Sequence, residues 1–389
     1  MAVLFNFRPD WEQGFSVQHS FATEIIVSRL KREQRIATRQ LPRKTVEFDV
    51  KLSRGDLTDF RGLLYQNQQG RFWLPDWTRW VQITDAVLTG ADTLQVSGTP
   101  AWMIPSQRLY LAHGAQAVLV GIDAIGLGEV LISGTMAQDF PAGTRAYLVY
   151  DCTVDQKLSS RSQTNTVGQV SMAFNVKPGS IEEDVGIPAV EFNGRELFLT
   201  KPNWSSPPSV EIEGFMETVD FGIGVTDEFA PVAFNRRTVQ SSFSFRDSAS
   251  AEEFYRFFLR QKGQRGEFYM PTGEPDLSTS IGAAVGTSGL DVPGLDTFSR
   301  YAGSTVYAAV IAFFRDGSYQ ANRITGITVS GSNSRVAVLT PWAQAVNDTT
   351  VRQVCFLPVW RFATDDLTLE WLTNTVSQCQ TSFTTLEDL

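Results

Sequence analysis

One ordered series of short matches occurs twice in this chain, and it constrains the fold more than any other feature. LPRKTVEFDVKL, starting at Leu41, matches FNRRTVQSSFSF, starting at Phe234, so that Arg43 falls on Arg236, Thr45 on Thr238 and Val46 on Val239. Both alternate apolar and polar residues, as half-buried strands do. Next come LSRGDLTDFRGLLYQNQQG, with Leu57, Phe60, Leu63 and Leu64 at helical spacing, and RDSASAEEFYRFFLRQKGQRG, with Phe254, Phe257 and Phe258. GRFWLP (Gly70–Pro75) then matches GEFYMP (Gly266–Pro271), and GADTLQV matches GTSGLDV. Upstream, Asp10-Trp11 stands opposite Asn203-Trp204; at the far ends TNTV recurs at Thr164 and Thr373. The order is kept and the spacing grows only slightly, the pattern of one unit written twice with loop insertions.

Each unit is expected to hold a regular strand, a capped amphipathic helix, an aromatic strand stopped by proline, an all-β stretch, and a closing TNTV strand. Ser53 with Asp56, and Ser250 with Glu253, have capping-box spacing; Gly70 and Gly266 suit the helix ends. The expected fold is mainly β: two tandem copies of a β-sandwich or barrel with one flanking α-helix, each carrying an inserted small β-domain. The units are 1–178 and 208–389, with insertions at about 76–147 and 273–352 and a Pro/Gly-rich linker at 179–207 that includes the strand-like ELFLT.

Composition excludes several classes. A net charge of −9 argues against a protein that coats nucleic acid, which needs a basic surface. Three scattered cysteines, Cys152, Cys355 and Cys379, offer no disulfide framework and fit a reducing compartment. The start, MAVLFNFRPDWEQ, lacks the pattern of a signal peptide, and the longest apolar run, YAAVIAFF, is too short to span a bilayer. The expectation is a soluble chain made in the cytoplasm, with no membrane insertion.

The chain offers little catalytic chemistry. Its two histidines, His19 and His113, lie in different segments and read as structural. FGIGVTD (Phe221–Asp227) lacks the third glycine of a dinucleotide loop. Glu182, Glu183 and Asp184, or Asp365 and Asp366, could flank a glycosidic bond or bind a cation, but a solvated charge run is the simpler reading. No enzyme activity, cofactor or metal site is expected. SRLKREQRIATRQLPRK (Ser28–Lys44) is the one basic concentration, with Arg29, Lys31, Arg32 and Arg35; the corresponding stretch of the second copy is acidic, with Asp227 and Glu228. These six residues are candidate subunit-interface residues, since like rings would then meet with opposite charge; a solvated edge is the competing reading. In RFWLPDWTRW, Trp73 is expected in the core, whereas Trp77 and Trp80 are candidate partner or glycan contacts.

LPRKTVEFDV, DLTDFRGLLYQNQQG, RFWLPDW and LTLEWLTNTVSQCQTSF together resemble the tail-tube fold of long-tailed, siphovirus-like bacteriophages, and more narrowly their tail-tip proteins of the distal-tail or baseplate-hub type. The resemblance covers the repeated core, about half of the chain. It implies a structural protein of the virion tail tip, made in the host cytoplasm, forming a ring around the DNA channel and joining the tail tube to hub or fibre proteins. It implies a homo-oligomer, either a trimer with a pseudo-sixfold ring or a hexamer, with DNA only in transit through the lumen. The alternative is a receptor- or carbohydrate-binding β-protein of the fibre apparatus; a glycan hydrolase using the acidic pairs is the third reading.

Overall fold

The computed structural model of the chain describes residues 2–67, 70–114, 116–154, 159–162, 164, 167–178, 185–220, 222, 224 and 226–388. The fold is mainly β, with three α-helices among the described residues. The first part contains β1 (Val3–Leu4), β2 (Phe15–Ser20), β3 (Thr23–Val27), β4 (Glu33–Ala37), β5 (Arg43–Leu52), α1 (Arg54–Asn67), β6 (Phe72–Gln82), β7 (Thr93–Gln95), β8 (Arg108–His113), β9 (Gln116–Ile125), β10 (Glu129–Ile132), β11 (Arg145–Val154), β12 (Ser159–Ser162) and β13 (Gly168–Val176). The second contains β14 (Glu191–Phe192), β15 (Arg195–Leu197), β16 (Ser209–Glu213), β17 (Glu217–Val219), β18 (Asp227–Phe229), β19 (Arg236–Phe245), α2 (Ser248–Gln261) and β20 (Phe268–Tyr269). It continues with β21 (Gly289–Pro293), α3 (Asp296–Tyr301), β22 (Ala309–Phe314), β23 (Tyr319–Ser330), β24 (Asn333–Val338), β25 (Val351–Phe356), β26 (Val359–Phe362), β27 (Asp366–Trp371) and β28 (Ser377–Leu386).

Two sheets have the same strand order. In the first, β1 runs parallel to β6, and antiparallel pairs then lead from β6 to β11, β13, β5 and β2. In the second, β15 runs parallel to β20, and antiparallel pairs lead from β20 to β26, β28, β19 and β16. The registers agree as well: Arg43 faces Ser20 where Arg236 faces Glu213, and Gly168 faces Leu52 where Ser377 faces Phe245. Residues 191–199, inside the stretch expected as linker, supply β14 and β15, and Phe198 continues β15 by donating its N–H to the Tyr269 carbonyl.

The cores agree ring by ring. Phe5 lies 6.2 Å from Phe60, 6.4 Å from Phe72 and 4.9 Å from Phe174. Phe198 lies 5.9 Å from Phe254, 6.0 Å from Phe268 and 5.9 Å from Phe383. All eight are buried, and tilted or edge-on contacts of this kind add to what burial alone contributes.

The intervening stretches differ. After β6, strands β7, β10, β9 and β8 run edge to edge back to β11, so they extend the first sheet. After β20, strands β21, β24, β23, β22 and β25 form a separate five-stranded sheet with its own core around Leu290, Val336 and Trp342.

Three local expectations are corrected. The aromatic strand β6 does not stop at Pro75; it continues to Gln82 because a register shift in β11 between Tyr147 and Val149 accommodates the irregularity opposite Pro75. Helix α2 is capped by Asp247, whose carboxylate accepts the Ser250 N–H at 2.7 Å, and it ends in left-handed Lys262 rather than at Gly266. The second TNTV is the turn before β28, not the strand itself: Val376 N–H bonds to Thr373 Oγ1 at 3.0 Å, and the Val376 carbonyl accepts from the Leu372 N–H at 2.9 Å, so hydroxyl and backbone close the turn together. Asn165 and Thr166 of the first TNTV lie outside the described residues.

Candidate functional site at the junction of the two sheets

The two sheets meet edge to edge. Strand β2 pairs with β5 on one side and with β27 on the other, with Val17 opposite Leu369 and His19 opposite Leu367. On β2, Phe15 stacks on Phe48 at 5.4 Å, whereas Phe21, just beyond the strand, meets Phe258 of α2 at 5.5 Å; Phe15, Val17 and Phe21 are all buried.

A hairpin arm, β3–β4, leaves the end of β2 and lies on the second half of the chain. Asp365 anchors its base by accepting from Thr23 Oγ1 at 2.9 Å and from the Gln264 N–H at 2.8 Å. Gly263 makes this approach possible: it has positive φ, and a Cβ there would collide with the Asp365 carboxylate. Asp365 is thus a structural cap, while Asp366 opens β27; Glu182, Glu183 and Asp184 lie outside the described residues.

Further along the arm, Glu33 inserts between guanidinium groups. Its carboxylate accepts from Arg361 Nε at 2.8 Å and Nη2 at 3.0 Å, and Arg236 Nη2 lies 2.8 Å away. Burial opposes the Glu33 charge, but the Arg361 hydrogen bonds and the nearby guanidinium charges outweigh it and hold this carboxyl below its usual range. Arg35 is paired with Glu267.

The other basic residues from the sequence are also engaged within the chain. Arg29 lies 3.5 Å from Glu217, Lys31 sits over the Phe215 ring at 5.0 Å, and Arg32 lies 3.8 Å from Glu387. Asp227 and Glu228 are exposed on β18, in a second hairpin, β17–β18, that leaves the end of β16 as β3–β4 leaves β2. Trp77 is buried edge-on against Tyr147 at 4.9 Å, so it is core and not an accessible contact; the hydrophobic Tyr147 and Tyr110 rings draw it inward. Trp80 and Trp73 are half-buried, with the Arg145 and Arg108 guanidiniums stacked over them at 4.3 and 4.1 Å.

A buried polar network that sequence reasoning missed completes the junction. Lys44 Nζ donates to Tyr150 Oη at 3.2 Å, Arg79 Nη1 donates to the same oxygen at 3.3 Å, and Tyr150 Oη donates to Asp76. Arg79 also reaches Glu252 of α2 through Nη2 at 2.9 Å. His19 stacks on Tyr255 with ring centroids 3.9 Å apart. Burial, then the charges of Lys44 and Arg79, hold its pKa well below the ordinary histidine value.

This gives a signed expectation. Above the unfolded value of about 6.5, His19 is neutral in both states; below it, only the unfolded chain takes up the proton, so stability falls by roughly 1.4 kcal/mol per pH unit. Urea midpoints should therefore drop between about pH 7.5 and 5.5, and His19→Gln should flatten that slope. An unchanged slope in the variant would assign the pH dependence to another group.

The three thiols are buried, and burial pushes Cys355 and Cys379 up to about 12 and Cys152 higher still. They are therefore poor nucleophiles. No protein-family model matches the chain, and no curated protein matches its sequence.

Proposed function

We propose that the chain is two tandem copies of one unit and that it is a structural ring protein of a phage tail tip, joining the tail tube to hub or fibre proteins around the DNA channel. The observation that carries this reading is the junction: two sheets of equal strand order and register join edge to edge, with β2 pairing on β27 and an arm clasped over the seam. A junction that links one unit to the next can be repeated between chains, and repetition of a head-to-tail contact closes a ring when the rotation allows it. Three chains would then present six similar units, fitting a sixfold tube to a threefold tip. The net charge of −9 suits a lumen through which DNA passes without adhering. Light scattering with negative-stain electron microscopy tests this: a trimeric or hexameric ring with an open centre is expected, and a stable monomer with no ring at any concentration would overturn it.

The alternative, a carbohydrate- or receptor-binding module, is favoured by a groove of about 470 Å³ in which exposed Trp204 stands beside Pro207, Pro208 and Met270. An aromatic face of this kind stacks on sugar rings. A glycan array discriminates the two readings: a hit abolished by Trp204→Ala supports the module.

A further inference from the structure

We propose that β16 and the β17–β18 arm dock on the first unit of a second copy of this chain, in the way that β2 and the β3–β4 arm dock on the second unit of their own. This deepens the ring reading and rests on it.

The first argument is what each surface lacks. Val17 and His19 on β2 are 5% and 2% exposed, whereas Val210 and Ile212, which take the same places on β16, are 46% and 66% exposed. The receiving side shows the same contrast. Helix α2 buries Tyr255 against His19 of the first unit, and Leu259 one turn on is buried; α1 presents Arg61 and Tyr65 at those places, both open to solvent, with Tyr65 84% exposed. A donor edge and an acceptor helix are therefore both bare where the intrachain junction is covered, and contiguous exposed apolar surface of this kind marks an interaction site. Among the described residues, β16 pairs only with β19 and β12 only with β13, so both keep an open edge.

The second argument is a reciprocal exchange of charge. The two arms share one register: Ile25 faces Arg35 as Thr218 faces Glu228. Arg35 pairs with Glu267 inside the chain. Glu228 stands where Arg35 stands, and Arg71, the residue before β6, stands where Glu267 stands before β20. Both partners have changed sign; Arg71 is already paired with Asp151 in its own chain, at 2.8 Å from Nε, and Glu228 of a neighbour would add to that pair as Arg35 adds to the Glu267–Arg195 pair. The buried pair Glu33 and Arg361 corresponds in the same way to Thr226 and Thr153, where both charges are absent. Loss of only one member would have left a buried ion unpaired.

The register of β2 on β27 fixes the register between copies. Val17 opposite Leu369 becomes Val210 opposite Ser160 of the neighbour. Directly opposed residues in antiparallel strands lie within disulfide reach. The test is Val210→Cys with Ser160→Cys in the full chain, oxidised and run without reductant; the native thiols are buried and stay out of the reaction. The expected result is a shift from the monomer band to a ladder of cross-linked copies, absent from either single variant. Glu228→Arg without the cysteines should weaken the association about threefold, since the carboxylate contact to Arg71 is lost and a second guanidinium then competes for Asp151.

Cross-linking by Val210→Cys alone would show β16 pairing with its own copy and overturn the proposal. An assembled ring with no cross-link in the double variant would overturn it while leaving the ring reading intact. A monomer with no cross-link at the highest soluble concentration would overturn both.

Discussion

Replacing Glu33 by Ala should lower stability by about 3–5 kcal/mol, the cost of breaking a buried ion pair from one side. The Glu33 and Arg361 side chains are 3% and 8% exposed, and removing the carboxylate leaves the Arg361 and Arg236 guanidiniums facing one another without the carboxylate that joins them, while Arg35 keeps Glu267. Chemical unfolding monitored by tryptophan fluorescence checks it. The folded-state pKa of Glu33 lies below its ordinary value, so its contribution is present at neutral pH and is lost only as the pH falls through that lowered value. A loss below about 1 kcal/mol, the range of an exposed pair, would show that water reaches the cluster. Arg29→Ala offers the contrast: its side chain is 75% exposed against Glu217, and its removal should cost little.

The second large effect belongs to the phenylalanine cores. Phe5→Ala and Phe198→Ala should each cost about 3–5 kcal/mol through lost burial and the cavity left behind. The two penalties should be of similar size, because each ring meets five others and three of those five stand at corresponding places, although the two sites share no close neighbour. Denaturant midpoints of both variants provide the comparison. The double variant should show additive losses, as distant sites do, whereas Phe198→Ala with Phe254→Ala should fall short of the sum because those rings touch.

The parts of this architecture that sequence revealed are those set by local periodicity. Strands β5 and β19 were legible from their alternation, and α1 and α2 from Leu57, Phe60, Phe254 and Phe258. Phe5 and Phe198 were not singled out, since a lone phenylalanine in a short segment has no periodicity of its own. The caps and turns were misplaced for a related reason. Asp247 competes with Ser250 for the start of α2, and the second TNTV has β-forming residues in a turn held by the Thr373 hydroxyl and by backbone bonds to Val376. Both choices depend on a few hydrogen bonds that composition does not express.

The junction was only partly legible. The opposed charges of the two arms were visible as Arg35 and Glu228, but Glu267, which pairs with Arg35, is remote in sequence and becomes its neighbour only through the sheet order. His19 showed no sign of its burial, because what covers it comes from α2, more than half the chain away. Trp77 was misread for the same reason: Tyr110 and Tyr147, which enclose it, lie on strands that return after a long excursion.

The placement of β2 has a consequence for biosynthesis. Phe15 to Ser20 are synthesised long before Asp366 to Trp371, which supply half of their ladder. The arm that follows β2 waits equally long for Arg361 and Glu387. The first sheet can therefore assemble during translation only with one edge open, and that edge is covered once β27 has been made. Contacts so distant in sequence make folding slow and expose an unpaired edge meanwhile.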